Sequence, residues 1–266
     1  NLTFKARKEY DADIQKNLSK KLGLRYTLPT KIMTWRANYG EAFRIGNLDA
    51  YYGEFKGTTT LIYRGNPNLK PEESQTLDLG FEMNPWQSLS FGLTGYKTWA
   101  RNYISYEDKP KEGANSVKQY ENIGKVAIVG FEAFAKWQAD DNWQFFTDYT
   151  ALDPSITAGP NEGKQVTGVP LSKASVGFEY SHPKWFAMRV AGNWMGTVWY
   201  DDANNDDEGK YMTFDARLSR RFAIDETTWI EPYIEAQNLT GEKETRTIPS
   251  SRVATNLFYG GVKVGF

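Results

Sequence analysis

Twelve stretches of this chain place an apolar residue at every second position, and the connections between them alternate between tight and long. A period of two puts successive side chains on opposite faces of an extended strand. Residues 211–222 set Met212, Phe214, Ala216, Leu218 and Phe222 against Tyr211, Thr213, Asp215, Arg217, Ser219 and Arg221. Residues 129–137 likewise set Val129, Phe131, Ala133, Ala135 and Trp137 against Gly130, Glu132, Phe134 and Lys136. Helical periodicity is nearly absent, so the chain reads as all-β. Strands are predicted near 2–10, 17–28, 31–40, 74–84, 87–104, 119–139, 142–152, 171–181, 185–200, 210–223, 227–239 and 256–266.

Alternation alone also suits a soluble antiparallel sandwich. The connections separate the two. "LPT", "NPW", "DD", "HPK" and "IDE" are tight, whereas 41–73, 105–118, 153–170, 201–209 and 240–255 are long; 11–16, on the long side, is a short exception. Tight turns gathered at one end and long loops at the other describe an antiparallel transmembrane β-barrel with short periplasmic turns and long external loops. Mean hydropathy is −0.62. No apolar run is long enough for a membrane helix, but a barrel hides its lipid face in alternate positions. Residues 1–20 contain no signal peptide, which reads as a mature chain, a fragment or a chain that is not exported.

Nine Trp and 16 Tyr call for an explanation, and aromatic girdles at the two membrane interfaces supply one. Trp86, Trp143, Trp185 and Trp229 would form the girdle at the tight turns, and Tyr39, Trp99 and Trp199 the one toward the loops. Trp143 and Phe145 are expected to face lipid. Lys5, Arg7, Lys21, Arg25, Arg36, Asp78, Glu82, Glu132, Asp148, Glu179, Arg189, Asp215, Arg217, Arg221, Glu231 and Glu235 would line a hydrated lumen.

Thirty-two basic and 33 acidic residues leave a net charge of −1, which gives no basic face for nucleic acid. With no Cys and one His, His182 in the turn "SHPK", neither a Cys/His nucleophile nor a His-rich metal site can be assembled, and no catalytic residue or cofactor is expected. Ligand capture belongs in the outer loops. Loop 41–73 offers Tyr51, Tyr52, Phe55, Tyr63 and Arg64 as aromatic and cationic contacts for a bulky solute, or else these aromatics pack the loop against itself. In the acidic loop "DDANNDDEG", 201–209, Asp202, Asn204 and Asp206 could hold Ca²⁺; a solvated acidic loop is the alternative.

Five motifs in order carry a resemblance. They are "WRANYGEAFR" with "GNPNLKPEESQTLDLGFE" (65–82), "YENIGKVAIVGFEAF" (120–134), "GVPLSKASVGFEY" (168–180), "IEAQNLTGEK" (234–243) and "IPSSR" before the last strand. Together they resemble the β-barrel of TonB-dependent outer-membrane receptors. Such barrels have about 22 strands around a plug. The resemblance therefore implies that residues 1–266 are the C-terminal portion of a receptor barrel without its plug. It implies a Gram-negative outer membrane, with lipid and lipopolysaccharide around the wall. The partners implied are the N-terminal plug and remaining strands, the TonB complex acting through that plug, and an extracellular small-molecule ligand. The final "LFYGGVKVGF" resembles the ending read by the barrel assembly machinery, with Phe266 as the signal. Between "FRIG" (43–46) and "NPNL" (66–69) there is no His, which disfavours haem. The expected function is active import of a scarce solute such as a ferric siderophore. A self-contained twelve-stranded passive channel is the alternative.

Overall fold

The period-two segments resolve into one antiparallel meander in a computed structural model that describes residues 2–11, 14–58, 60–201, 203–242 and 256–266. Its strands are β1 (Leu2–Asp11), β2 (Ile14–Thr27), β3 (Met33–Arg44), β4 (Glu72–Trp86), β5 (Leu89–Arg101) and β6 (Lys125–Gln138). They continue as β7 (Trp143–Ala158), β8 (Ser172–Ser181), β9 (Ala187–Met195), β10 (Tyr211–Ser219), β11 (Trp229–Gln237) and β12 (Leu257–Gly265). Each pairs with its chain neighbours, and the two-residue strand Phe222–Ala223 prolongs the β10 side of β11. Among the described residues β1 pairs only with β2, and β12 only with β11, so the sheet is open with two edges.

Register makes the two faces continuous. Leu24, Ala37, Leu79, Gly95, Phe131 and Ala151 lie opposite one another in turn from β2 to β7. One row over and facing the other way run Asn38, Asp78, Tyr96, Gly130 and Leu152. A one-residue slip in any strand would exchange these faces, so the buried-versus-wet requirement fixes the register.

The apolar face has no second layer upon it. Leu24 is 54 % exposed, Leu79 58 %, Val176 58 %, Ile234 63 % and Val262 61 %. A sandwich would bury such a face against another sheet, and a band of this extent needs an apolar solvent. The opposite face is polar and cross-linked. Asn38 Nδ2 donates to Asp78 at 2.7 Å, Arg36 to Glu82 at 3.1 Å, Asn193 Nδ2 to Asp215 at 2.8 Å and Arg217 to Glu235 at 3.3 Å. Arg189 pairs with Glu179 and lies 4.3 Å over the Phe146 ring.

Several expectations are corrected. The strand predicted over 119–139 is two elements, because the chain breaks at Gly124. There φ is +139°, and a Cβ would overlap the Ala158 carbonyl oxygen, so only glycine fits. The strand predicted over 87–104 stops at Arg101, where Asn102 takes φ +56°. Trp229 is not in a lipid-side girdle. It shares the parity of Glu231 and Glu235, and Arg221 lies 3.9 Å over its ring. Trp199 sits in an outer loop, its Nε1 donating to Gln165 at 2.8 Å. Trp86 and Trp185, 66 % and 60 % exposed, do stand at the short-turn end, and Phe145 lies on the apolar face beside Trp137.

Candidate functional site

Two of the long connections, 41–73 and 105–118, do not hang as separate loops. Their strands form one four-stranded sheet, in the order Glu54–Thr58, Leu61–Arg64, Asn115–Asn122, Ile104–Glu112. Its central pair is parallel, with Ile62 opposite Val117, so two loops distant in sequence share a ladder. The hairpin Ile104–Glu112/Asn115–Asn122 turns at Gly113, φ +64°.

The turn motif "GNPNLKPE" welds this sheet to the rim. Asn66 is buried; its N–H donates to Ala50 O at 2.7 Å, its Nδ2 to Glu121 at 2.9 Å, and its Oδ1 accepts from Asn68 N at 2.9 Å. Gly65 passes so near the helix Leu48–Tyr52 that a Cβ would stand 2.7 Å from Tyr51 C. Asn122 accepts from Lys70 N at 2.8 Å and donates to the carbonyls of Lys70 and Asn102 at 2.9 and 2.7 Å. Glu72, 8 % exposed, takes Arg44 Nε and Nη2 at 2.5 and 2.6 Å and the Ile104 N–H at 2.8 Å. The staple draws on the 65–72 turn, the helix Leu48–Tyr52, β3 and the strands Ile104–Glu112 and Asn115–Asn122, which is why the motif is rich in Asn and Gly.

The sheet gathers aromatic rings on one face. Phe55 stacks on Tyr63 with centroids 4.9 Å apart, Tyr63 meets Tyr106 edge-on at 4.9 Å, and Tyr106 lies 4.2 Å from Tyr120. Tyr106 Oη donates to Tyr120 Oη at 2.5 Å. Burial, then the bond to Tyr120, pushes the Tyr106 phenol above its ordinary range. The row offers ring faces and phenol hydroxyls.

The five expected contacts are divided by the fold. Phe55 and Tyr63 belong to the aromatic row. Tyr52, 74 % exposed, lies on the helix Leu48–Tyr52, its ring 5.9 Å from that of Tyr51. Tyr51 is buried with Ala50, Leu69 and Ile104, and among the described residues no hydrogen-bond partner meets its hydroxyl. Arg64 alternates away from Tyr63 and is held by Glu54 at 2.8 Å and Glu112 at 2.7 Å. Those carboxylates hold the guanidinium above its ordinary value, with the Glu112 bond the largest cause. Tyr106 was missed because 105–118 reads as a loop, and Tyr120 because it falls at the start of the strand predicted over 119–139. The alternation in "ISYEDK" and "SVKQYEN", flanking Gly113, was the available signal.

The acidic loop is organised by its own backbone. Asp201 accepts from Asn205 N and Asp206 N at 2.9 and 2.8 Å. Asn204, φ +54°, accepts from Gln165 N at 2.6 Å and donates to Gln165 O at 3.1 Å, which ties this loop to 159–171. Asp202 lies outside the described residues. Among the described residues no three His, Cys, Asp or Glu converge as a metal site.

Residues 2–239 match the family model "TonB dependent receptor-like, beta-barrel". The chain belongs to that family of receptor barrels. The solved structures it resembles include an enterobactin complex of a mutant ferric enterobactin receptor, PfeA, from Pseudomonas aeruginosa. That match has TM-score 0.75 and 18 % identity, covering 99 % of this chain and 43 % of the other. The siderophore receptor PirA from Acinetobacter baumannii matches with TM-score 0.76 and 16 % identity, over 100 % and 43 %. The copper transporter OprC matches with TM-score 0.75 and 16 % identity, over 95 % and 40 %. The chain thus spans less than half the length of each of these structures.

Proposed function

We propose that this chain is the C-terminal part of the barrel of an outer-membrane receptor that captures a scarce solute, a ferric siderophore or a similar chelate, and imports it at the expense of TonB. The observation that carries the reading is the open twelve-stranded wall, with an apolar band on one face and paired charges on the other. Unpaired strand edges cannot persist in lipid, so β1 and β12 call for further strands, which favours a larger barrel over a twelve-stranded channel. The polar face suits a hydrated lumen occupied by a plug, through which the TonB complex would act. The similar solved structures include siderophore receptors and a copper transporter, which supports a metal chelate as cargo. The row Phe55, Tyr63, Tyr106 and Tyr120, with exposed Tyr52, is the surface we assign to first contact with an aromatic chelate. Phe266, fully exposed beyond β12, is assigned to recognition by the assembly machinery.

The test is folding into liposomes, read by heat-modifiable gel mobility, of residues 1–266 alone and of the receptor carrying its upstream segment. The expected outcome is a compact band only for the longer protein, together with TonB-dependent uptake of a ferric chelate that Tyr106→Ala/Tyr120→Ala weakens. A compact, steadily conducting barrel from residues 1–266 alone would overturn the receptor reading in favour of a channel.

A further inference from the structure

The apolar wall is interrupted near its short-turn end by an open groove of about 740 Å³. Met188, Leu218 and Ile234, cross-strand neighbours on β9, β10 and β11, form its floor and sides. Trp185 and Phe186 of the turn before β9 rise on one side, and Pro232 stands on the other. One row further into the wall the paired residues Ala216 and Ala236 are small, so the trough continues toward the middle of the band.

Arg220 ends this groove. Two places beyond Leu218, it shares the outward parity, and its Nη2 donates to the Lys184 carbonyl at 3.5 Å while the guanidinium lies 4.8 Å from the Phe222 ring. Its neighbour Arg221 points the other way and pairs with Glu231 at 3.0 Å. Arg36, Arg189 and Arg217 on the polar face are likewise paired with carboxylates. Among the described residues no carboxylate pairs with Arg220. The exposed Lys184 adds a second cation to the same turn.

A guanidinium on the lipid side of a wall must reach headgroup depth, where its planar donors match a phosphate in two-point fashion. An apolar trough that runs inward from such a cation is complementary to an anionic amphiphile, not to a peptide or a free ion. Short turns lie on the periplasmic side of outer-membrane barrels, which selects the inner leaflet and its glycerophospholipids over lipopolysaccharide. We propose that Arg220, with Lys184, binds the phosphate of one anionic glycerophospholipid whose acyl chain lies over Met188, Leu218 and Ile234. This rests on the membrane-barrel reading above.

The experiment is native mass spectrometry of the full-length receptor in detergent, with dioleoyl phosphatidylglycerol or dioleoyl phosphatidylcholine added, on wild type, Arg220→Glu and the groove-filling Met188→Trp. Heat-modifiable mobility is checked for each protein. The site predicts one phosphatidylglycerol retained in preference to phosphatidylcholine, and about a tenfold weaker retention in R220E. M188W should also lose the lipid, and it decides the matter if R220E does not fold. Equal retention of the two lipids, or retention unchanged in the folded variants, would mean adventitious belt lipid only and would overturn the site while leaving the barrel intact. Failure of the wild-type protein to give a compact band would instead overturn the membrane reading and the lipid site together.

Discussion

Replacing Glu72 tests whether the turn motif is a mechanical staple. The residue is 8 % exposed, and its carboxylate receives three N–H groups, two from Arg44 and one from Ile104, which starts the outer hairpin. The Arg44 side chain is 65 % exposed, so water screens that pair and its loss costs about 0.5–1 kcal/mol. The Ile104 N–H is buried, and leaving it without an acceptor costs about 1–3 kcal/mol. Glu72→Ala removes both, for a total of roughly 1.5–4 kcal/mol, which is about a 10- to 700-fold rise in the opening constant of the hairpin base. Glu72→Gln retains an acceptor oxygen for Ile104 and should raise it only about 2- to 5-fold. Hydrogen exchange of the folded receptor, followed by mass spectrometry on peptides spanning 102–122, reads these factors directly. Equal exchange in the two variants, or no acceleration in E72A, would refute the argument that the buried amide is what the carboxylate serves.

Three further outcomes are expected. The Arg64 guanidinium holds Glu112 below its ordinary value of 4.5, so this clasp contributes fully above pH 4.5 and is lost as pH falls through the lowered folded value. Exchange protection of 61–64 and 115–122 should accordingly be level near neutrality and decline in acid, and Glu112→Gln should remove the part of that decline owed to the clasp. Gly65→Ala drives a Cβ against Tyr51 and Tyr52 backbone atoms at 2.7 Å and should cost about 1–3 kcal/mol of local stability, seen as faster proteolysis between 45 and 70. Leu79→Arg, at a position 58 % exposed on the apolar band, should destabilise the lipid-embedded barrel by about 2–4 kcal/mol in urea titrations; an effect no larger than that of Thr94→Lys on the polar face would contradict the assignment of faces.

Much of the wall was legible in residue order alone. Period-two patterning settles which side chains share a face in an extended strand, and alternating loop lengths settle which ends of the strands lie together; neither depends on distant residues. That is why the twelve antiparallel barrel strands and the mixed charge of the polar face were readable, whereas which charges pair and that the sheet is open came from the structure. Parity could even have corrected Trp229, which lies between Thr228 and Ile230 in strict alternation with the apolar set. The outer sheet was decided only by tertiary structure. The parallel ladder of 61–64 on 116–119 joins segments more than fifty residues apart, and no local period encodes a partner at that distance. Tyr63 and Tyr106 become one surface, Tyr51 becomes core and Arg64 becomes a clasp because that ladder exists. The same holds for the groove below Arg220: sequence supplies the cation and the apolar residues, but their depth and adjacency come from the packing of three strands and a turn.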